Sequence, residues 1–253
     1  MKRYLIALTA ASLAAVSPAR AEPTEIVARA ISEDAKFIGD SMGGANIVLR
    51  DARSGRILAR GVTSGGTGNT ARIMQSSGRS PLIATPDAAA FVTRIDIDQP
   101  MLVDLEVVGP NARPGSSVSI RSQRWVMPGE AVNVGDGWVV ELPGLAISPS
   151  LRILNRDESD PTRTVAVAAK VQLLCGCPIT PGGMWNSADY RVTASVWQGN
   201  RELSETSLDF VEAPGGFAGQ IAVPTRGRLR VYIRARNIVT GNSGVTEASL
   251  PQR

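Results

Sequence analysis

The sequence predicts an all-β protein with two antiparallel β-sandwich domains that follow a removable N-terminal leader. Short segments in which apolar and polar residues alternate recur along the chain, as expected for strands that bury one face. The 253 residues include 25 glycines and 16 prolines, which favour short elements joined by turns over long helices. No segment has the periodicity of a strong helix, so the elements are expected to pair into sheets.

Residues 1–21 have the pattern of a secretory signal peptide. A basic start is followed by an almost entirely apolar run at 4–16, and Ala19 and Ala21 place small residues at a cleavage site. The apolar run is shorter than the ~20 residues that a membrane-spanning helix needs. We therefore expect cleavage after Ala21, a mature chain that is periplasmic or secreted, and no transmembrane span.

The charge of the chain gives no reason to expect nucleic acid as a partner. The whole chain carries 27 Lys and Arg against 23 Asp and Glu, but the leader holds three of these bases and no acid, so the mature chain is nearly neutral. Histidine is absent from the sequence. Its absence excludes Ser-His-Asp and Cys-His catalysis, and any zinc site that requires imidazole.

The first predicted domain spans residues 22–155. Its clearest pattern is a strand in which Ala45, Ile47 and Leu49 share one face, and a turn with glycine leads to a returning strand that completes a hairpin. Residues 61–90 are rich in glycine and are predicted to form a long loop. The other strands predicted in this domain are 24–31, which is also compatible with a short helix, 90–98, 101–108, 117–121 and 137–142.

A polar and charged segment at 156–164 is predicted to be a linker to a second domain at 165–253. The strands predicted in this domain are 165–174, 190–197, 202–210, 217–223 and 228–236. In the last of these, apolar residues alternate with a face that carries four arginines and a tyrosine. Such a face is typical of a solvated sheet surface, and an anion-binding stripe is the alternative interpretation.

Both halves resemble known β modules. Residues 45–61, with the sequence A-N-I-V-L-R-D-A-R-S-G-R-I-L-A-R-G, resemble the opening hairpin of transthyretin-like and carboxypeptidase-regulatory-like domains. Residues 165–250 resemble a bacterial immunoglobulin-like domain in the runs Y-R-V-T-A-S-V-W-Q-G-N and R-V-Y-I-R-A-R-N. These resemblances imply a binding or spacer module, since such folds rarely carry catalysis themselves.

Gly39, Ser41 and Gly43 match the G-x-S-x-G pattern of a hydrolase nucleophile. That chemistry needs a base for the serine, a residue that orients the base, and a helix directly after the turn. The chain has no histidine, and the residues that follow Gly44 have strand periodicity. We therefore interpret 39–44 as a glycine-rich turn that enters a strand, and we predict that the protein is not an enzyme.

Cys175 and Cys177 are the only cysteines, and three interpretations of this Cys-Gly-Cys motif stay open. The first is a local disulfide, which an oxidising compartment favours, although so small a ring stabilises a fold little. The second is a copper(I) site formed by both thiolates and the thioether of Met184, since copper(I) prefers sulfur ligands. The third is thiol exchange or an intermolecular disulfide.

The predicted function is that of an exported, non-enzymatic binding or accessory module of the periplasm or cell envelope, without a cofactor. A protein partner of the envelope is expected to dock on an edge strand or on the glycine-rich loop at 61–90. The alternative is a copper(I)-binding or thiol-redox protein that acts through Cys175 and Cys177.

Overall fold

The computed structural model describes residues 21–154 and 160–250, and within these ranges the protein is built from strands, which confirms the predicted all-β class. The strands of the N-terminal half are β1 (Glu22–Ser32), β2 (Asn46–Asp51), β3 (Ile57–Val62), β4 (Phe91–Ile97), β5 (Met101–Gly109), β6 (Val118–Val126) and β7 (Trp138–Leu142). One short helix, α1 (Thr70–Met74), lies between β3 and β4. The strands of the C-terminal half are β8 (Leu145–Ile153), β9 (Thr162–Leu173), β10 (Tyr190–Gln198), β11 (Arg201–Phe210), β12 (Gly216–Pro224), β13 (Leu229–Asn237) and β14 (Ser243–Ala248).

The N-terminal half consists of two facing sheets. One has the order β4-β1-β7, in which β1 runs antiparallel to β4 and parallel to β7, and the other has the antiparallel order β3-β2-β5-β6. The predicted hairpin is confirmed, because β2 pairs with β3 and its apolar face is fully buried at Ala45, Ile47 and Leu49. The core between the sheets also contains Ile26 and Leu105.

The C-terminal half is one antiparallel sheet of seven strands that curls into a nearly closed barrel. Its order is β14-β13-β10-β11-β12-β9-β8, and β14 returns to the side of β8. The backbone of Gly244 packs so closely on β8 that a Cβ at this position would overlap the carbonyl oxygen of Leu145. The barrel is filled by the inward side chains of its strands, including Val167, Val192 and Ile233, as expected for the interior of a small barrel.

The segment predicted as an interdomain linker connects two paired strands of the barrel. β8 precedes it, β9 begins within it at Thr162, and Leu151 of β8 is the partner of Val167 of β9. Residues 156–159 of this segment lie outside the described residues. By its strand pairing, β8 belongs to the sheet of the C-terminal half, although it precedes the segment at 156–164. The division into two sandwich domains is not confirmed.

The two halves are joined by buried contacts on both sides of the junction. The hydroxyl of Ser32, at the end of β1, accepts a hydrogen bond of 3.1 Å from the backbone N–H of Leu174, which follows β9. Leu174 and Ala146 belong to the core of the N-terminal half, whereas Ala35 belongs to the core of the barrel. Since each core contains residues from the other half, the two halves share a packed interface.

The glycine-rich loop at 61–90 is folded against the N-terminal half. Its short helix contributes Ile73 to a small core with Ile31 and Phe37, and Ala88 and Ala89 complete this cluster. The Asp136 carboxylate accepts hydrogen bonds of 2.8 Å from two backbone N–H groups of the loop, at 83 and 84. The loop is therefore held by specific contacts along its second half.

Helices are too few and too short in the described ranges to provide a membrane span. None of them combines the length and the hydrophobicity needed to cross a bilayer. The leader predicted at 1–21 lies, except for Ala21, outside the described residues.

Candidate functional site

Cys175 and Cys177 lie in a tight turn at the end of β9, and their sulfurs are at disulfide distance. The Cα atoms are 5.4 Å apart, and the two residues are 1% and 5% exposed. Gly176 between them has a φ of +80°, which is the left-handed conformation that glycine adopts without cost. Both cysteines belong to the core of the barrel, so the bridge is shielded from solvent.

The structure places Met184 apart from the hydrophobic core that holds the cysteines. Met184 is 51% exposed and lines a small cavity with Trp185. A different methionine packs on the Cys-Gly-Cys turn: a Cβ on Gly176 would lie 3.1 Å from the Sδ of Met42. In the bridged form neither cysteine sulfur is a thiolate, so the copper(I) set of Cys175, Cys177 and Met184 would require reduction first.

The G-x-S-x-G segment forms a single 3-10 turn at Asp40–Met42, followed by the strand β2. Ser41 is exposed, and the turn that carries it is tied to the neighbouring segment at 63–66. The Asp40 side chain accepts a hydrogen bond of 3.0 Å from the N–H of Gly65, and the Thr63 hydroxyl donates to the carbonyl of Ile38 at 3.1 Å. A Cβ on Gly44 would overlap the carbonyl oxygen of Thr63. The glycines of the motif therefore serve the close packing of two turns.

A surface concavity lies on the outer face of the barrel, along β10. The cavity has a volume of about 480 Å³ and is formed mainly by three neighbouring strands, β11, β10 and β13, with Val245 of β14 at its edge. Thr193 and Ser195 of β10 form its floor, and the longer side chains of the two flanking strands form its walls. We call this feature the β10 groove.

Cross-strand register determines which side chains face each other across the β10 groove. Ser195 has Glu205 of β11 as its partner on one side and Tyr232 of β13 on the other. One step along β10, Thr193 is opposite Arg234 of β13. At the other end the partners of Trp197 are Glu202 of β11 and Arg230 of β13. The groove therefore has an acidic wall on β11 and a basic wall on β13.

Contacts of two aromatic residues fix the side chains at one end of the β10 groove. Trp197 and Tyr232 meet edge to face with ring centroids 6.5 Å apart, and the Trp197 indole donates a hydrogen bond of 2.9 Å to the Ser195 hydroxyl. The Arg230 guanidinium lies 5.8 Å from the centroid of the Tyr232 ring and donates to the carbonyl of Gly199 at 3.1 Å. This end of the groove is preorganised, with an aromatic surface beside a fixed cation.

The charges of the two walls are not engaged with each other. Among the described residues the ion pairs within 4 Å involve Arg50, Arg94 and Arg121, all in the N-terminal half. The smaller concavity that continues the groove, about 210 Å³ in volume, adds Arg191 and Arg236 to the basic side. Unpaired, exposed groups of opposite sign on facing walls can hold a ligand that carries both signs of charge.

The sequence matches no family model, and a comparison with curated proteins finds no matching sequence. The fold and the groove define an all-β protein whose barrel carries an open concavity with charges of both signs. The resemblances to transthyretin-like and immunoglobulin-like modules stay predictions.

The arginine-lined face of β13 is recognisable in the sequence and indicates the basic wall of the groove, whereas no sequence pattern indicates the acidic wall. Glu202 and Glu205 lie on a predicted strand without a distinctive pattern, and their position opposite β13 depends on β10 lying between the two strands. The signal that could have indicated a groove is the pair of short residues, Thr193 and Ser195, at alternate positions of a strand that ends in Trp197.

Proposed function

We propose that the protein is an exported, non-enzymatic binding module of the periplasm or cell envelope that holds an extended segment of a partner protein in the β10 groove. The observation that carries this proposal is the arrangement of two oppositely charged walls around a floor of short side chains, with no ion pair between the walls. The leader pattern at 1–21 supports the export of the chain.

An extended peptide has the spacing that the groove requires. Outward side chains of a strand repeat at roughly 6.6–6.8 Å, and an extended ligand that lies along β10 has the same repeat. Side chains at alternate positions of the ligand then face β13, where Arg234 and Arg236 are exposed, and the intervening ones face Glu205. The groove therefore favours a segment in which acidic and basic residues alternate.

The aromatic end of the groove gives the ligand a direction. Trp197 and Tyr232 offer an apolar surface beside Arg230, which suits an apolar or aromatic residue next to an acidic one. Aromatic and arginine side chains are the residue types that contribute most to binding at protein interfaces. We place the apolar end of the bound segment here.

The experiment uses the mature chain and three labelled peptides of equal length. One alternates Glu and Lys, one contains the same residues in two blocks, and one contains Glu only. We expect the alternating peptide to bind most tightly in fluorescence anisotropy, with an affinity that falls as salt rises. Equal binding of the alternating and block peptides, or no binding of either, would contradict the proposal.

A charge reversal in the groove has a matched control elsewhere on the protein. Arg234→Glu is expected to weaken binding of the alternating peptide by about tenfold or more, the scale on which a single charge-assisted contact affects affinity. Arg60→Glu changes the net charge equally on the exposed strand β3 and is expected to leave binding unchanged. If both variants lose affinity equally, binding reflects overall charge and not the groove.

A further inference from the structure

A second concavity lies at the junction of the two halves and brings together residues that are far apart in the sequence. Its volume is about 230 Å³. Met74 of α1 and Met184 of the loop between β9 and β10 both line it, beside Trp185. Two of the six methionines of the chain therefore line one small cavity. We call it the junction cavity.

The junction cavity is acidic. Asp34 and Asp189 line it, and no lysine or arginine is among its lining residues. One carboxylate oxygen of Asp34, Oδ2, is buried and has no hydrogen-bond partner within the described residues. A buried carboxylate oxygen without a donor is costly, and a cation in the cavity would remove that cost.

A buried hydroxyl next to the same carboxylates also lacks a partner. Tyr190 is 7% exposed, and its phenol oxygen has no hydrogen-bond partner among the described residues. Burial raises the pKa of Tyr190, and the nearby carboxylates of Asp34 and Asp189 raise it further. The Tyr190 hydroxyl is therefore neutral at physiological pH and adds no charge beside Asp34 and Asp189.

The backbone and the indole hold Asp34 in place. Asp34 has a φ of +59° and is the one residue other than glycine with a positive φ in the described ranges. The Trp185 indole donates a hydrogen bond of 2.9 Å to the carbonyl oxygen of Asp34. Left-handed backbone at a residue other than glycine persists where its surroundings enforce it, and such positions cluster at ligand sites.

We propose that the junction cavity binds a single soft monovalent cation, copper(I), through the thioethers of Met74 and Met184, with the Asp34 carboxylate balancing its charge. Thioether sulfur is a preferred ligand of copper(I), and two carboxylates fall far short of the six to eight oxygens that calcium takes. Methionine side chains are unbranched and flexible, so their sulfurs can close on an ion in the cavity. The site uses neither Cys175 nor Cys177, and it lies outside the β10 groove.

The test uses silver(I), a redox-inert substitute for copper(I), on the mature protein with its disulfide intact. We expect one equivalent to bind in isothermal titration calorimetry. X-ray absorption at the silver edge is expected to show sulfur in the first coordination shell. Met74→Leu and Met184→Leu conserve volume and are each expected to weaken binding by about tenfold or more. Met127→Leu removes a thioether that is 41% exposed outside the cavity and is the matched control.

Several outcomes would overturn the proposal. They are the absence of silver binding, a first shell without sulfur, and unchanged binding in the double variant Met74→Leu/Met184→Leu, whose fold is checked by circular dichroism. Equal loss in Met127→Leu would show nonspecific binding to thioethers. Loss confined to Cys175→Ser/Cys177→Ser would assign the ion to the cysteines. Peptide binding in the groove is a separate measurement, so either proposal can fail alone.

Discussion

The hydroxyl of Ser32 and the backbone N–H of Leu174 form a buried hydrogen bond of 3.1 Å between the N-terminal half and the barrel. Ser32 is 1% exposed and Leu174 is fully buried. Water therefore cannot replace the serine hydroxyl if it is removed, and the N–H of Leu174 would be left unsatisfied. This bond couples the end of β1 to the turn that carries Cys175.

We expect Ser32→Ala to lower the free energy of unfolding by about 1–3 kcal/mol, the cost of an unsatisfied buried donor. Urea unfolding of the mature chain, followed by circular dichroism, measures this change. Ser119→Ala is the matched control, because Ser119 is exposed on β6 and its substitution should change stability by less than about 0.5 kcal/mol. Equal stability of Ser32→Ala and the wild-type protein would show that the junction does not depend on this bond.

Gly44, which directly follows the G-x-S-x-G pattern, is expected to be required for close packing of the backbone. Gly44 and Gly55, in the turn between β2 and β3, both have positive φ values, +64° and +71°. A Cβ on Gly44 would overlap the Thr63 carbonyl, whereas a Cβ on Gly55 meets open space. Gly55→Ala is expected to cost about 1–2 kcal/mol for the left-handed backbone alone. Gly44→Ala is expected to cost about 1–3 kcal/mol more, because the surrounding turns must shift.

Thermal and urea unfolding of the two variants, side by side, separate the backbone cost from the packing cost. Ser41→Ala is the companion variant and is expected to leave stability unchanged, since Ser41 is exposed. If Gly44→Ala lost no more stability than Gly55→Ala, the close approach of the turns at 39–44 and 63–66 would not constrain the residue at position 44.

Local alternation was enough to predict the strands whose inner and outer faces differ clearly. In β13, Val231, Ile233 and Ala235 are fully buried and alternate with exposed arginines and the half-buried Tyr232, and the pattern is unambiguous. The two strands that sequence analysis did not identify, β8 and β14, are those that bring the ends of the barrel together. β8 contains Pro149, which interrupts strand patterns and is tolerated because β8 ends the hydrogen-bonded sheet.

The candidate sites could be predicted only in part, for a physical reason. Alternation shows which side chains leave a strand on the same face, but not which strand lies beside it. The acidic wall at Glu202 and Glu205 faces the basic wall of β13 only because β10 lies between β11 and β13. Likewise, Met74 and Met184 line the same cavity only in the folded protein, which no local pattern encodes.

The bridge between Cys175 and Cys177 is expected to resist reduction in the folded protein. The two residues are 1% and 5% exposed, so a thiol reductant reaches the bridge only after local or global unfolding. We expect dithiothreitol to reduce the pair at a rate that rises with the unfolded fraction in urea. Alkylation of the freed thiols followed by mass spectrometry measures this rate, and the fully unfolded chain is the reference. Reduction of the native protein as fast as that reference would contradict the burial of the pair.

The same bridge should contribute only modestly to stability. Its ring spans three residues, for which the loop-entropy model gives about 1.5 kcal/mol. Cys175→Ala/Cys177→Ala is expected to lower the free energy of unfolding by about that amount, measured by urea unfolding. A loss of more than about 4 kcal/mol would mean that the turn is held mainly by its covalent bond.

Glu33, at the junction, is expected to destabilise the folded protein at neutral pH. Burial raises the pKa of its carboxyl above the ordinary value of 4.5, and the carboxylates of Asp34 and Glu141 raise it further. The folded protein thus holds this proton more tightly than the unfolded chain, so the penalty is absent well below pH 4.5. It grows as pH rises above 4.5 and is complete above the raised pKa.

Glu33→Gln should therefore be more stable than the wild-type protein at pH 7, by up to about 0.5 kcal/mol for a partly exposed group, and equal to it at pH 3. Glu25→Gln is the control of opposite sign, because hydrogen bonds from Asn133 and Arg94 lower the pKa of the Glu25 carboxyl. Its wild-type contribution is stabilising above pH 4.5 and is lost as pH falls through the lowered pKa, so this variant should be less stable at pH 7. Urea unfolding of both variants from pH 3 to 7 gives the difference in unfolding free energy from the wild-type protein as a function of pH. Slopes of the same sign for the two variants would contradict the charge environment at Glu33.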